Sequence, residues 1–135
     1  MSLKIALVPV QIGGGLVVLH TPEEYAALLR DVDMVAARLM RAWPLEQAVA
    51  AHLAHFYGSR ADGVVALAAE RPELLERLHA DAPDIGAQVV FAAREEWATS
   101  SADVLHRRTT LAARGLTGAD VRACVDALLG SALPR

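Results

Sequence analysis

A chain of 135 residues, 54% of them hydrophobic and 21% charged, is one domain's worth of sequence and too apolar to stay disordered. Alanine (27 residues) and leucine (19) dominate and aromatics make up only 4%, which suits closely packed helices and not a sandwich or barrel. The formal net charge of −3 argues against a general nucleic-acid binder, and the single cysteine, Cys124, excludes an internal disulfide framework and any zinc site built on paired cysteines. A reducing, cytoplasmic setting fits that cysteine usage best.

The most apolar stretch, residues 3–19, contains Pro9 and three consecutive glycines, Gly13 to Gly15. Those breakers make neither a membrane-spanning helix nor the unbroken apolar run of a signal peptide convincing. The β-branched residues predict two short strands instead, about 4–10 and 16–20, joined through Gln11–Gly15, where glycines permit a tight turn. Met1-Ser2-Leu3 also fits an added start, which would make the chain a piece of something longer.

From Thr21 the pattern becomes helical. Thr21 can cap, Pro22 suits the first helical position and Glu24 can close a capping box. Tyr25, Leu28, Leu29, Val32, Val35, Ala36, Leu39 and Trp43 then share one face, and Pro44 ends or kinks the helix. A second helix carries Leu45, Val49, Leu53 and Phe56 and stops near Gly58. Ala61–Ala69 reads as a short helix, and Pro72 opens another with Leu74, Leu75 and Leu78. Pro83-Asp84 starts a helix to about Ala98, Ser100 caps one with Asp103 at its third position that Gly115 closes, and Thr117–Asp120 caps a last helix to about Gly130. The expected architecture is mainly α, a compact bundle of six to seven helices (residues 21–135) preceded by a short N-terminal β-hairpin (residues 1–20).

Most candidate chemistry has a plain structural reading. Gly13-Gly14-Gly15 lacks GxGxxG spacing and opens no helix, so a turn accounts for it better than a phosphate or flavin contact. His52 and His55, three apart on a helix, have no third ligand at a telling spacing. Cys124, among Val121, Val125 and Leu128, reads as a buried, inert thiol. No GxSxG, P-loop or HExxH motif is present, so no catalytic, cofactor-binding or metal-binding residue is assigned.

Residues 85–111 are different. At 100° per residue, Ile85, Gly86, Val89, Val90, Ala93 and Trp97 form one apolar face, with Glu96 at its edge and Glu95 pointing away. On the next helix Val104, Leu105, Leu111 and Ala112 form the face, Arg108 falls in its middle, and Arg107 stands four residues after Asp103. An inward charge needs a partner, so Glu96 and Arg108 should pair around Trp97, either as a register-fixing ion pair or with Arg108 turned toward a neighbouring domain or anionic ligand. If they pair, losing one partner should cost about 3–5 kcal/mol, whereas Asp103–Arg107 should be worth under about 1 kcal/mol.

The same residues carry a resemblance. Phe56-Tyr57-Gly58-Ser59-Arg60, then Val64 to Ala69, then Gln88 to Ala98 (QVVFAAREEWA), then Ser101 to Thr109 (SADVLHRRT) resemble the C-terminal helical domain of FAD-dependent (aerobic) glycerol-3-phosphate dehydrogenase. That family has a YGS element, a V-x-YA-x-R-x-E-x-A helix and a DVLxRRT helix in this order and spacing. The similarity covers about residues 44 to 130, and the DVLxRRT element with its upstream helix is its specific part. Ile12-Gly13-Gly14 is similar to the start of a GGK-x-TTYR strand with which the family touches its flavin, but Gly15 stands at the lysine position and the TTYR run is missing. The resemblance implies a parent enzyme that oxidises sn-glycerol 3-phosphate to dihydroxyacetone phosphate through FAD and passes electrons to quinone, at the inner face of the cell membrane. It implies that this chain is the cap-like appendage, with no cofactor of its own, whose partner is the FAD and substrate domain. No nucleic acid or membrane span is expected, and an oligomer remains open. Two other classes compete: a free-standing helical interaction module, and a helix-turn-helix DNA binder, which Asp120, Asp126 and the acidic net charge disfavour.

Overall fold

The computed structural model describes residues 8–12 and 16–132, which are mainly helical. They fall in two compact units, Met1–Ala61 and Asp62–Arg135.

In the first unit, strand β1 (Val8–Ile12) pairs antiparallel with β2 (Leu16–His20), Val8 opposite His20 and Ile12 opposite Leu16. Residues 4–7 of the expected first strand and the Gly13–Gly15 turn lie outside the described residues. Helix α1 (Pro22–Ala42) begins on its local signals. The Thr21 hydroxyl accepts from the Glu24 N–H at 3.3 Å, and Glu24 Oε2 accepts from the Thr21 N–H at 3.0 Å. The helix ends at Trp43, extended ahead of Pro44 as the pyrrolidine ring requires of the residue before it. Helix α2 (Gln47–Tyr57) packs against α1 and buries Val49, Ala50, Leu53, Ala54 and Tyr57. It stops at Gly58, whose φ of 57° and ψ of −128° only glycine adopts without strain.

In the second unit, helix α3 (Ala61–Ala66), which begins at the boundary, runs into a 3₁₀ turn over Leu67–Ala69. The helix expected from Pro72 is a single 3₁₀ turn, Pro72–Leu75. The backbone beyond it has other partners: the Leu78 N–H donates to the Asp84 carbonyl, the Gly86 N–H donates to the Glu76 carbonyl, and Arg77 bridges Ile85. Those pairings consume the groups a helix would need. Helix α4 (Gly86–Glu95) is shorter than expected at both ends. Its start is delayed because Asp84 and Ile85 are engaged in that loop, and it stops because Trp97 turns left-handed at φ 62°.

Helix α5 (Ser101–Asp103) is capped by the Ser100 hydroxyl, which accepts from the Asp103 N–H at 3.1 Å. It continues as one π turn, Val104–Arg108, and not as a helix to Gly115. Thr109 ends it: its backbone is extended, and its hydroxyl donates to the Val104 carbonyl at 3.1 Å. Helix α6 (Ala119–Ala132) packs on α4, and the core between these elements holds Leu78, Val89, Val104, Leu105, Leu111, Val121, Val125 and Leu129. Gly86 lets α4 approach closely, since a Cβ there would meet the Leu74 backbone and the Leu128 side chain at 3.4 Å.

Candidate functional site

Glu96 is the residue at which α4 ends, and Arg108 closes the π turn. Arg108 Nη1 donates to Glu96 Oε2 at 3.1 Å, and Nη2 donates to the Glu96 carbonyl at 3.4 Å. The guanidinium therefore neutralises a carboxylate that keeps 11% of its exposure and also meets the negative end of the helix. Arg108 itself keeps 26%. The Nε of Arg108 is buried without a hydrogen-bond partner among the described residues. Asp103 and Arg107 approach at 3.7 Å, with the arginine 78% exposed, so water screens that contact.

Two expectations are corrected. Trp97 does not sit between the charged pair: it is 90% exposed, because the helix has ended before its position on the wheel applies. Cys124 is exposed, because the buried stripe of α6 runs through Val121, Val125 and Leu129 and the cysteine stands about a quarter turn away.

A second cluster carries no local signature. The Asp84 carboxylate is fully buried. Its Oδ1 accepts from the Gln88 amide at 3.1 Å and from the Thr110 N–H at 3.2 Å, and its Oδ2 accepts from the Thr110 hydroxyl. Gln88 Oε1 accepts from the Ile85 N–H at 2.9 Å, and Arg114 Nε donates to the Thr110 hydroxyl oxygen at 2.8 Å. This chain of bonds ties the start of α4 to the segment after the π turn. Asp84 was legible only as a helix-start residue, and nothing near it in sequence points to Thr110, 26 positions away.

In the second cluster the Thr110 hydroxyl donates to the Asp84 carboxylate as part of the tie between two segments, and in the first no hydroxyl or thiol takes part. The His52 ring meets the Phe56 ring at a tilt of 42°, centroids 5.5 Å apart, and among the described residues no three His, Cys, Asp or Glu side chains converge as a metal site. Among the described residues the strand pairing differs from that of an FAD nucleotide site. That site needs a parallel strand–turn–helix with glycines at the turn, and the described strands pair antiparallel. Among the described residues no helix is long and apolar enough to cross a membrane.

The geometry of these clusters names no activity, and comparison with known proteins supplies the family. Residues 13–133 match the family of the C-terminal domain of alpha-glycerophosphate oxidase, and the chain belongs to it. A glycerol-3-phosphate dehydrogenase of Synechocystis sp. is 46% identical over 68 residues, 50% of this chain and 12% of that protein. A mitochondrial glycerol-3-phosphate dehydrogenase of Arabidopsis thaliana is 40% identical over 68 residues, 50% of this chain and 11% of that protein. The matched part is thus about a tenth of the length of these relatives. No solved structure matches.

Proposed function

We propose that this chain serves as the non-catalytic, cap-like C-terminal domain of an FAD-dependent glycerol-3-phosphate dehydrogenase. The parent enzyme oxidises sn-glycerol 3-phosphate to dihydroxyacetone phosphate and passes the electrons to quinone. FAD and substrate are held by another part of that enzyme, which is this domain's partner, in the cytoplasm at the inner face of the membrane. Within the chain, residues 1–20 form a hairpin segment appended to a helical domain, 21–135, of six to seven helices. The family match over residues 13–133 carries this reading. Glu96–Arg108, with Asp103–Arg107 beside it, fixes how α4 and the π turn meet and so keeps the domain's surface in shape.

The test is complementation. A glycerol-3-phosphate dehydrogenase truncated before its own C-terminal domain should regain activity or thermal stability when this chain is supplied, while the chain alone shows neither flavin absorbance nor glycerol-3-phosphate oxidation. Stoichiometric FAD on the isolated chain would sink the reading. The second reading, a free-standing interaction module, is favoured by Gly15 standing at the family's lysine position. It predicts no complementation, with stable binding to an unrelated protein.

A further inference from the structure

The turn that leaves α4 presents an exposed surface at the edge of the unit's core. Trp97 is 90% exposed and holds φ at 62°, a region that bulky L residues avoid. Beside it lies an open groove of about 620 Å³, floored by Ala93, Ala98 and Ala132, with Arg94 and Thr99 on its rim. Among the described residues Arg94 has no ion-pair or hydrogen-bond partner. A glycine would make this turn without strain, so keeping a tryptophan there needs a reason outside the turn.

We propose that this groove is where the domain seats on the flavin-bearing remainder of its enzyme, taking up a segment that carries a carboxylate for Arg94 and an apolar side chain against Trp97. The inference rests on the reading of the chain as a dehydrogenase's C-terminal domain and adds the docking surface to it. Two observations select the occupant. The matched region is 12% of the Synechocystis relative, so most of such an enzyme lies outside this chain and must meet it somewhere. Among the described residues that line the groove Arg94 is the charged one, and an anionic group on the occupant would complement it. Tryptophan and arginine flanking a floor of small residues is also the composition of interface anchors, in which a few side chains carry most of the binding.

Hydroxyl-radical footprinting read by mass spectrometry tests it. The full 135-residue chain is probed alone and mixed with the FAD-loaded remainder of the glycerol-3-phosphate dehydrogenase of the same organism. Trp97 should oxidise readily alone and be protected about tenfold in the mixture. Arg94→Glu and Trp97→Gly should each weaken association about tenfold or more, with helical circular dichroism unchanged and, for Trp97→Gly, no loss of melting temperature. Protection elsewhere with Trp97 still reactive overturns the docking surface and leaves the parent reading standing. No protection at any residue overturns both. Protection of Trp97 in the chain alone, growing with its concentration, means that a second copy covers the groove and overturns the proposal.

Discussion

Helices α1 and α4 are built by opposite means. The 21 residues of α1 include a single fully buried side chain, Leu39, and the helix is fixed by signals inside its own span: a complete capping box, Pro22, acidic residues in the first turn and Arg41 in the last. In α4, ten residues long, every position from Gly86 to Ala92 is buried, and its first turn is closed by the Gln88 carboxamide and not by a capping hydroxyl or carboxylate. Local chemistry defines α1, and tertiary packing defines α4. Substitutions in the two should therefore differ in kind as well as in size.

The sharpest test of that contrast is Asp84→Ala. It strands the Gln88 amide in a buried site, at about 1–3 kcal/mol, and leaves the half-buried Thr110 N–H and hydroxyl without their acceptor. The loss should be about 3–5 kcal/mol in urea denaturation, with Thr110→Val costing less and not adding to it, since both break one network. A loss below about 1 kcal/mol would mean that α4 is not held by this tie.

Next comes the pair at the far end of α4. Because Arg108 keeps a quarter of its exposure, Glu96→Gln or Arg108→Met alone should cost about 2–3 kcal/mol, below the range for fully buried pairs. The double variant should cost clearly less than the sum. Additive losses in a double-mutant cycle would show that the 3.1 Å contact contributes nothing on its own.

These two clusters also mark how far the sequence can be read. Capping at Thr21 and Ser100 is visible because donor and acceptor lie three residues apart. Glu96 and Arg108 stand out because a charge on an apolar face is visible on a wheel. Trp97 was misplaced because the wheel assumes that the helix continues, and a single left-handed residue cancels every position after it. The helix expected to reach Gly115 fails for a related reason: the π turn over Val104–Arg108 and the extended Thr109 take the chain off the 3.6-residue period. The Asp84–Thr110 tie spans 26 residues with no periodicity linking its ends, so only the folded chain reveals it.

Smaller effects separate cap from strain. Thr21→Ala removes half of the capping box of α1 and should cost about 1 kcal/mol, with loss of helical signal at its N-terminus. Trp97→Gly should go the other way and raise stability by about 1 kcal/mol, because glycine accepts a φ of 62° and no packed contact of the exposed indole is lost. A destabilised Trp97→Gly would show that the indole packs somewhere on the domain and is not held for a partner.

The smallest expected change is at Asp103–Arg107, which carries the same two charge types as Glu96–Arg108 and uses the neighbouring arginine of the same π turn. The separation is 3.7 Å against 3.1 Å, and the arginine is 78% exposed against 26%. Water already solvates that guanidinium, so pairing gains little over the free ion and must offset the entropy of holding a long side chain still. Arg107→Ala should therefore shift stability by less than about 0.5 kcal/mol, and the shift should shrink further as salt rises from low to physiological strength. Arg108→Met should hold its cost under the same change of salt, because its partner carboxylate is mostly out of water. If instead both variants respond to salt alike, exposure does not separate the two pairs, and their difference has to come from the bond that Arg108 alone makes to the Glu96 carbonyl at the cap of α4.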